Sequence, residues 1–146
     1  MSISSVVRAS FERSFALYRD LVGSFGDEAL SSKLPNLPSN SIGLQLWCVV
    51  GARESYCQAL MAGEWIGFSC SLDSVAQKSP VAEALDRSAE NLAGILTTMD
   101  SFTDTQNRLM IDLLEHEAAH QGQLIRYLYG LRLPIPDSWK ARYALE

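Results

Sequence analysis

Leu114-Glu115-His116-Glu117-Ala118-Ala119-His120-Gln121-Gly122-Gln123-Leu124 contains both histidines of the chain, four positions apart in a run that reads as helix. Residues i and i+4 share a helix face, one turn apart. Two imidazoles therefore stand side by side, as a helix offers two ligands to one metal ion. Working outward, Thr103-Asp104-Thr105-Gln106 matches a capping box and starts this helix near Asp104. It runs to about Tyr129, with Gly130 as its C-cap. Leu109, Leu113, Leu124, Tyr127, Leu128 and Leu131 supply its apolar contacts, and Asp112, His116, His120 and Gln123 form a polar line on one side.

Three further helices precede it. Apolar residues from Ile3 through Val7, Phe11, Phe15, Tyr18, Leu21 and Val22 to Phe25 recur at three and four, the helical period. Gly26 is a stop, and Asp27–Leu30 a further short turn. Lys33–Ser41 carries two prolines and several capping residue types, so it ends by launching a second helix from about Ser41 to Met61, closed by Gly63. Gly43 and Gly51 weaken that helix, and are expected on a buried face where another helix comes close. Glu64–Ser79 reads as a loop folding Trp65, Ile66 and Phe68 against the bundle. Ser79 as cap and Pro80 at the first helical position start a third helix, to about Met99. The tail from Pro134 to Lys140 docks or frays. The expectation is one all-α domain over residues 1–146, an up-down-type four-helix bundle, an architecture that commonly builds metal sites from side chains on facing helices.

Composition narrows the function. The chain is 47% hydrophobic and 20% charged, with a formal net charge of −5. It has no Lys/Arg run, which argues against nucleic acid as a partner, because phosphate neutralisation needs a clustered basic face. No apolar stretch approaches the length of a membrane span, and the N-terminus lacks the pattern of a signal peptide. Cys48, Cys57 and Cys70 make an odd count without repeated spacing, so the expected compartment is a reducing cytoplasm.

A catalytic metal usually takes three protein ligands and keeps an open position. Asp112, one turn before His116, would add a carboxylate; Cys48, in the mostly apolar second helix, would add a thiolate. Two imidazoles and a thiolate suit zinc well, and nickel or iron reasonably. The bland readings are two half-buried histidines satisfied by neighbours, a small core cysteine, and a solvated Asp112. Cys57 and Cys70 read as structural, and Trp47, Trp65, Tyr56 and Tyr127 as core or pocket walls. His116-Glu117-Ala118-Ala119-His120 also fits H-E-x-x-H, the metalloprotease helix in which the glutamate is the general base. Its place near the C-terminus, with no strand-rich lobe upstream and no third ligand downstream, is against that reading. Glu117 also lies about 100° around the helix from His116.

Nearly the whole chain resembles the DinB-like (DinB/YfiT) superfamily of bacterial metal-binding four-helix bundles. The resemblance rests on the second helix from Ser41 to Tyr56, on the H-x-x-x-H-x-G-Q element at His116–Gln123, and on the closing Leu131–Trp139. It implies a metal triad of one second-helix position and two fourth-helix histidines, here Cys48, His116 and His120, with cysteine standing where a family histidine is expected. It further implies zinc or nickel, a low-molecular-weight thiol as cosubstrate, a small-molecule substrate, a homodimer, and Asp112 or Gln123 as residues that orient the imidazoles or the substrate. The implied activity is thiol S-transfer, isomerisation or hydrolysis, in which the metal activates a thiol or water. The alternative is a non-catalytic stress-related or small-ligand-binding bundle with an altered metal site.

Overall fold

Two of the long helices begin where capping chemistry places them. The Ser41 hydroxyl accepts the Leu44 N–H, and Thr103 and Gln106 close a reciprocal capping box. The computed structural model describes residues 3–146, with side chains from Ser5 onward, so the expected contact of the Ile3 side chain lies outside what is described. The elements are α1 (Ile3–Gly23), a 3₁₀ turn (Asp27–Ser31), α2 (Ile42–Ala62), α3 (Lys78–Thr98), α4 (Asp104–Gly130) and a short α5 (Asp137–Tyr143). Among the described residues there is no strand. The molecule is a helical bundle in which α1 and α2 each pack along both α3 and α4. None of the described helices is long and apolar enough to cross a membrane.

Several boundaries differ from the sequence reading. α3 begins at Lys78, ahead of the Ser79-Pro80 signal, and its N-cap Gln77 makes no side-chain capping bond. The cap comes from elsewhere: Asp27 Oδ1 accepts the Lys78 N–H at 2.7 Å, and Lys78 Nζ donates to the Phe25 carbonyl. Gly130 is the last residue of α4 rather than its cap. A Cβ there would stand 2.8 Å from Leu34 Cδ2, so its smallness serves close packing. Gly43 and Gly51 also admit close neighbours. At Gly43 these are Val75 and the Leu30 carbonyl of the 3₁₀ turn, and a Cβ on Gly51 would run into the Phe68 ring. The 63–77 segment is thus strapped across α2. Ser55 bonds both backbone groups of Ser69, Trp47 Nε1 donates to Leu72 O, and the Phe68 and Trp65 rings lie on Trp47 and Tyr56.

The interior falls into two apolar halves. One gathers Leu17–Val22 of α1 with Phe25 just beyond it, Ile42–Val50 of α2, Val81–Leu85 of α3 and Leu124–Leu128 of α4. The other gathers Val7–Phe15, Ala52–Leu60, Ala89–Leu96 and Leu109–Leu113. Between them, at mid-height, sits a layer of buried polar residues: Ser14, Arg53, Ser88, Glu117 and Gln121.

The tail docks through Trp139, which is fully buried, sits edge-on to Tyr18 and donates its indole N–H to Leu17 O at 2.7 Å. Trp139→Ala is expected to lower the unfolding free energy by about 3–5 kcal/mol. Trp139→Phe, which keeps an aromatic ring and loses the hydrogen bond, should give a smaller loss of about 1 kcal/mol. Urea unfolding followed by circular dichroism reads both.

Candidate metal centre

On the α2–α4 seam, at the height of the polar layer, Cys48, His116 and His120 converge. One ligand atom from each lies within 4.8 Å of the others. His120 Nε2 stands 3.2 Å from His116 Nε2, and His116 Nε2 stands 3.5 Å from Cys48 Sγ. A tetrahedral zinc with ordinary bond lengths separates two nitrogens by about 3.3 Å and a nitrogen from a sulfur by about 3.5 Å. These two edges therefore have the dimensions that such an ion requires. All three residues are half-buried.

The ring orientations have identifiable causes. Gln45, one turn before Cys48 on α2, presents Oε1 to His120 Nδ1. An oxygen partner fixes the proton on Nδ1 and leaves the Nε2 lone pair facing the cluster, the tautomer a metal needs. Of the two roles that the resemblance implies for Asp112 or Gln123, orienting the imidazoles or the substrate, the first falls to Gln45: neither Asp112 nor Gln123 hydrogen-bonds to an imidazole among the described residues. Nδ1 of His116 is buried without a hydrogen-bond partner among the described residues. Buried polar atoms are seldom left so, because desolvation without a partner costs about 1–3 kcal/mol.

Electrostatics prepares the imidazoles but not the thiol. Burial pushes the His120 pKa down to about 4, His116 beside it pushes the same way, and Glu117 opposes both. His116 is lowered as well, chiefly by burial. Both rings are neutral at neutral pH, as ligands must be. Burial raises the Cys48 thiol above its ordinary range, so a metal would have to displace its proton. Cys57 is buried in the core with its pKa pushed up to about 11, and Cys70 bonds weakly to Trp47 O; neither joins the cluster.

Glu117 is turned away from the histidines. It is 1% exposed, and its two carboxylate oxygens accept the Nε and Nη2 protons of Arg53, itself 1% exposed. Ser14 donates to Oε2 at 2.6 Å, Gln121 donates to Ser14, and Tyr143 donates to Gln121. The Tyr18 hydroxyl, its pKa raised first by burial and then by Glu117, donates to the Glu117 carbonyl at 2.7 Å. The carboxylate is therefore occupied by Arg53 and Ser14 and is not placed as a base for a metal-bound water. Sequence reasoning missed this network. The available signal was Arg53 itself, the one charge in the run Ile42–Arg53, which a buried helix cannot hold without a counter-charge.

Comparison with protein-family models, curated proteins and solved structures returns no match for this chain.

The lowered His120 pKa has a definite sign. Between pH of about 6.5 and about 4 the unfolded chain binds a proton that the folded, metal-free protein declines. This contribution to stability is therefore complete above that window and is lost as pH falls through it. In the metal-free protein, the drop in urea midpoint between about pH 7.5 and about pH 5 should be smaller in His120→Gln than in the wild type.

Proposed function

We propose that this chain is a divalent-metal-binding bundle of the DinB/YfiT-like, up-down four-helix type, with Cys48, His116 and His120 as ligands. The single observation that carries the reading is the meeting of these three donors, from two helices, within 4.8 Å of one another, with two of their separations zinc-like. The donor set fits zinc first and nickel second.

When bound, the ion would supply Lewis acidity that lowers the pKa of a thiol or water at its open position, giving a nucleophile near neutral pH. The chain's own residues do the rest. Gln45 holds His120 in the ligating tautomer, the half-buried setting keeps both imidazoles neutral, and Cys48 gives up its proton on metal uptake. This supports a metal-dependent thiol S-transferase, isomerase or hydrolase acting on a small molecule with a low-molecular-weight thiol as cosubstrate. A cytoplasmic homodimer with neither nucleic acid nor membrane as partner belongs to the same reading. Its support is the net charge of −5 and the exposed Met61, Trp65, Ile66 and Phe68. Among the described residues no carboxylate hydrogen-bonds to the cluster, and this favours a second reading: a bundle that binds metal or a small ligand without turnover.

The test begins with untagged protein loaded with zinc or nickel. One equivalent per chain is expected, and less than about a tenth of one would sink the metal reading. Cys48→Ser should weaken uptake while Cys57→Ser leaves it intact; equal behaviour removes Cys48 from the ligand set. Calorimetry in buffers of different ionisation enthalpy should show about one proton released per zinc at neutral pH, and none from the thiol in Cys48→Ser.

Turnover is read separately, with glutathione, bacillithiol or mycothiol and an electrophilic acceptor. Metal-dependent transfer supports the enzyme; no transfer by the loaded protein favours the binding bundle. Activity that survives full chelation rejects the metal mechanism.

A further inference from the structure

Beside the cluster, where the 34–40 connection crosses the seam between the start of α2 and the C-terminal half of α4, lies a hollow of about 530 Å³. Its walls include Leu34 and Pro38 on the apolar side and Gln45, Gln123 and Arg126 on the polar side, and no carboxylate lines it. Gln45 is the same residue that holds His120. It is 7% exposed, its Oε1 is committed to the imidazole, and its amide nitrogen has no partner among the described residues. One end of a buried side chain thus touches a metal ligand while the residue lines the hollow with a free donor. The Arg126 side chain, also in the lining, has neither an ion pair nor a hydrogen bond among the described residues.

We propose that this hollow binds a small organic carboxylate, with Arg126 gripping the carboxylate, Gln45 donating to the ligand, and the ligand's other end directed to the Cys48–His116–His120 cluster. The inference rests on the metal reading for the direction of the ligand, and on the hollow alone for its chemistry. An unpaired guanidinium in a lining without acidic groups selects an anion, and its fork geometry suits a carboxylate. There is one cation and no more, so a single negative charge is matched, whereas a phosphate monoester would keep uncompensated charge in a protein of net charge −5. Arg126 follows His120 by six residues, about 9 Å along the helix axis. A short-chain carboxylate and the length of the arginine side chain together cover that distance. Gln123, one turn beyond His120, lies between and lines the path.

The probes are butyrate, 4-mercaptobutyrate, 4-mercaptobutan-1-ol and butyl phosphate, added to full-length protein with and without zinc. Binding is followed by amide NMR shifts and calorimetry. In the zinc-free protein butyrate should shift the signals of Gln45, Gln123 and Arg126. Arg126→Gln, an exposed position, should weaken butyrate binding by about tenfold without changing zinc stoichiometry. In the zinc-loaded protein 4-mercaptobutyrate should bind about tenfold more tightly than 4-mercaptobutan-1-ol, an advantage that Arg126→Gln abolishes. Equal butyrate affinity in wild type and Arg126→Gln, or shifts confined to other surfaces, would overturn the proposal. Tighter binding of butyl phosphate than of butyrate would overturn the carboxylate assignment. Butyrate binding in the hollow of a protein that takes up no zinc supports the hollow and rejects the metal reading.

Discussion

The Arg53–Glu117 ion pair is the constraint on which the rest of the bundle depends. A charge buried to this depth is tolerable only if paired and hydrogen-bonded, and both partners here meet that condition, with each Arg53 guanidinium nitrogen bonded. The guanidinium's remaining donors reach Leu85 O and Ser88 of α3, and its face lies over the Phe15 and Tyr18 rings of α1. The carboxylate draws in Ser14, and through it Gln121 and Tyr143 of α5. All five helices therefore contribute to one polar layer. Its worth lies less in net stability than in specificity. The apolar halves above and below are built of interchangeable Leu, Val, Ala and Phe contacts that would tolerate a shifted packing. Sliding α2 by one turn against α4 would leave two uncompensated charges in the core, at a penalty of several kcal/mol.

The same constraint builds the candidate metal centre. Glu117 adjoins His116 in sequence, and Arg53 lies five residues beyond Cys48. Once the inward faces of α2 and α4 are locked by the ion pair, their outward neighbours are brought opposite one another without further adjustment. The thiol and the two imidazoles need make no contribution to folding to be found together. Gln45 adds the last degree of order by fixing a ring that packing alone would leave free to turn.

Much of this was legible in the sequence, and the part that was not has a physical reason. Ser41, Gly63 and the Thr103–Gln106 box are local signals read by the backbone within one turn, and the structure uses them as read. The His116–His120 pair follows from helix geometry, and Cys48 from being a donor on a facing apolar helix. Contacts across long stretches of chain were not legible. Glu117 sits inside a motif whose familiar meaning is catalytic, and its partner lies 64 residues away. Gly51 admits the 63–77 strap where a helix is expected, and Gly43 admits both that strap and the 3₁₀ turn, because a missing Cβ says that something comes close without saying what. The start of α3 moved because its cap is supplied from the 3₁₀ turn, a donor that no window around Ser79 contains.

That borrowed cap joins two pieces of chain into one opening unit. The first turn of α3 has no side-chain cap of its own, and the 3₁₀ turn that supplies one is anchored in return by Lys78 on the Phe25 carbonyl. Neither piece can loosen without releasing the other. Partial unfolding at this corner is therefore a joint event of residues 25–32 and 77–81, and hydrogen exchange there reports a shared free energy instead of two independent frayings.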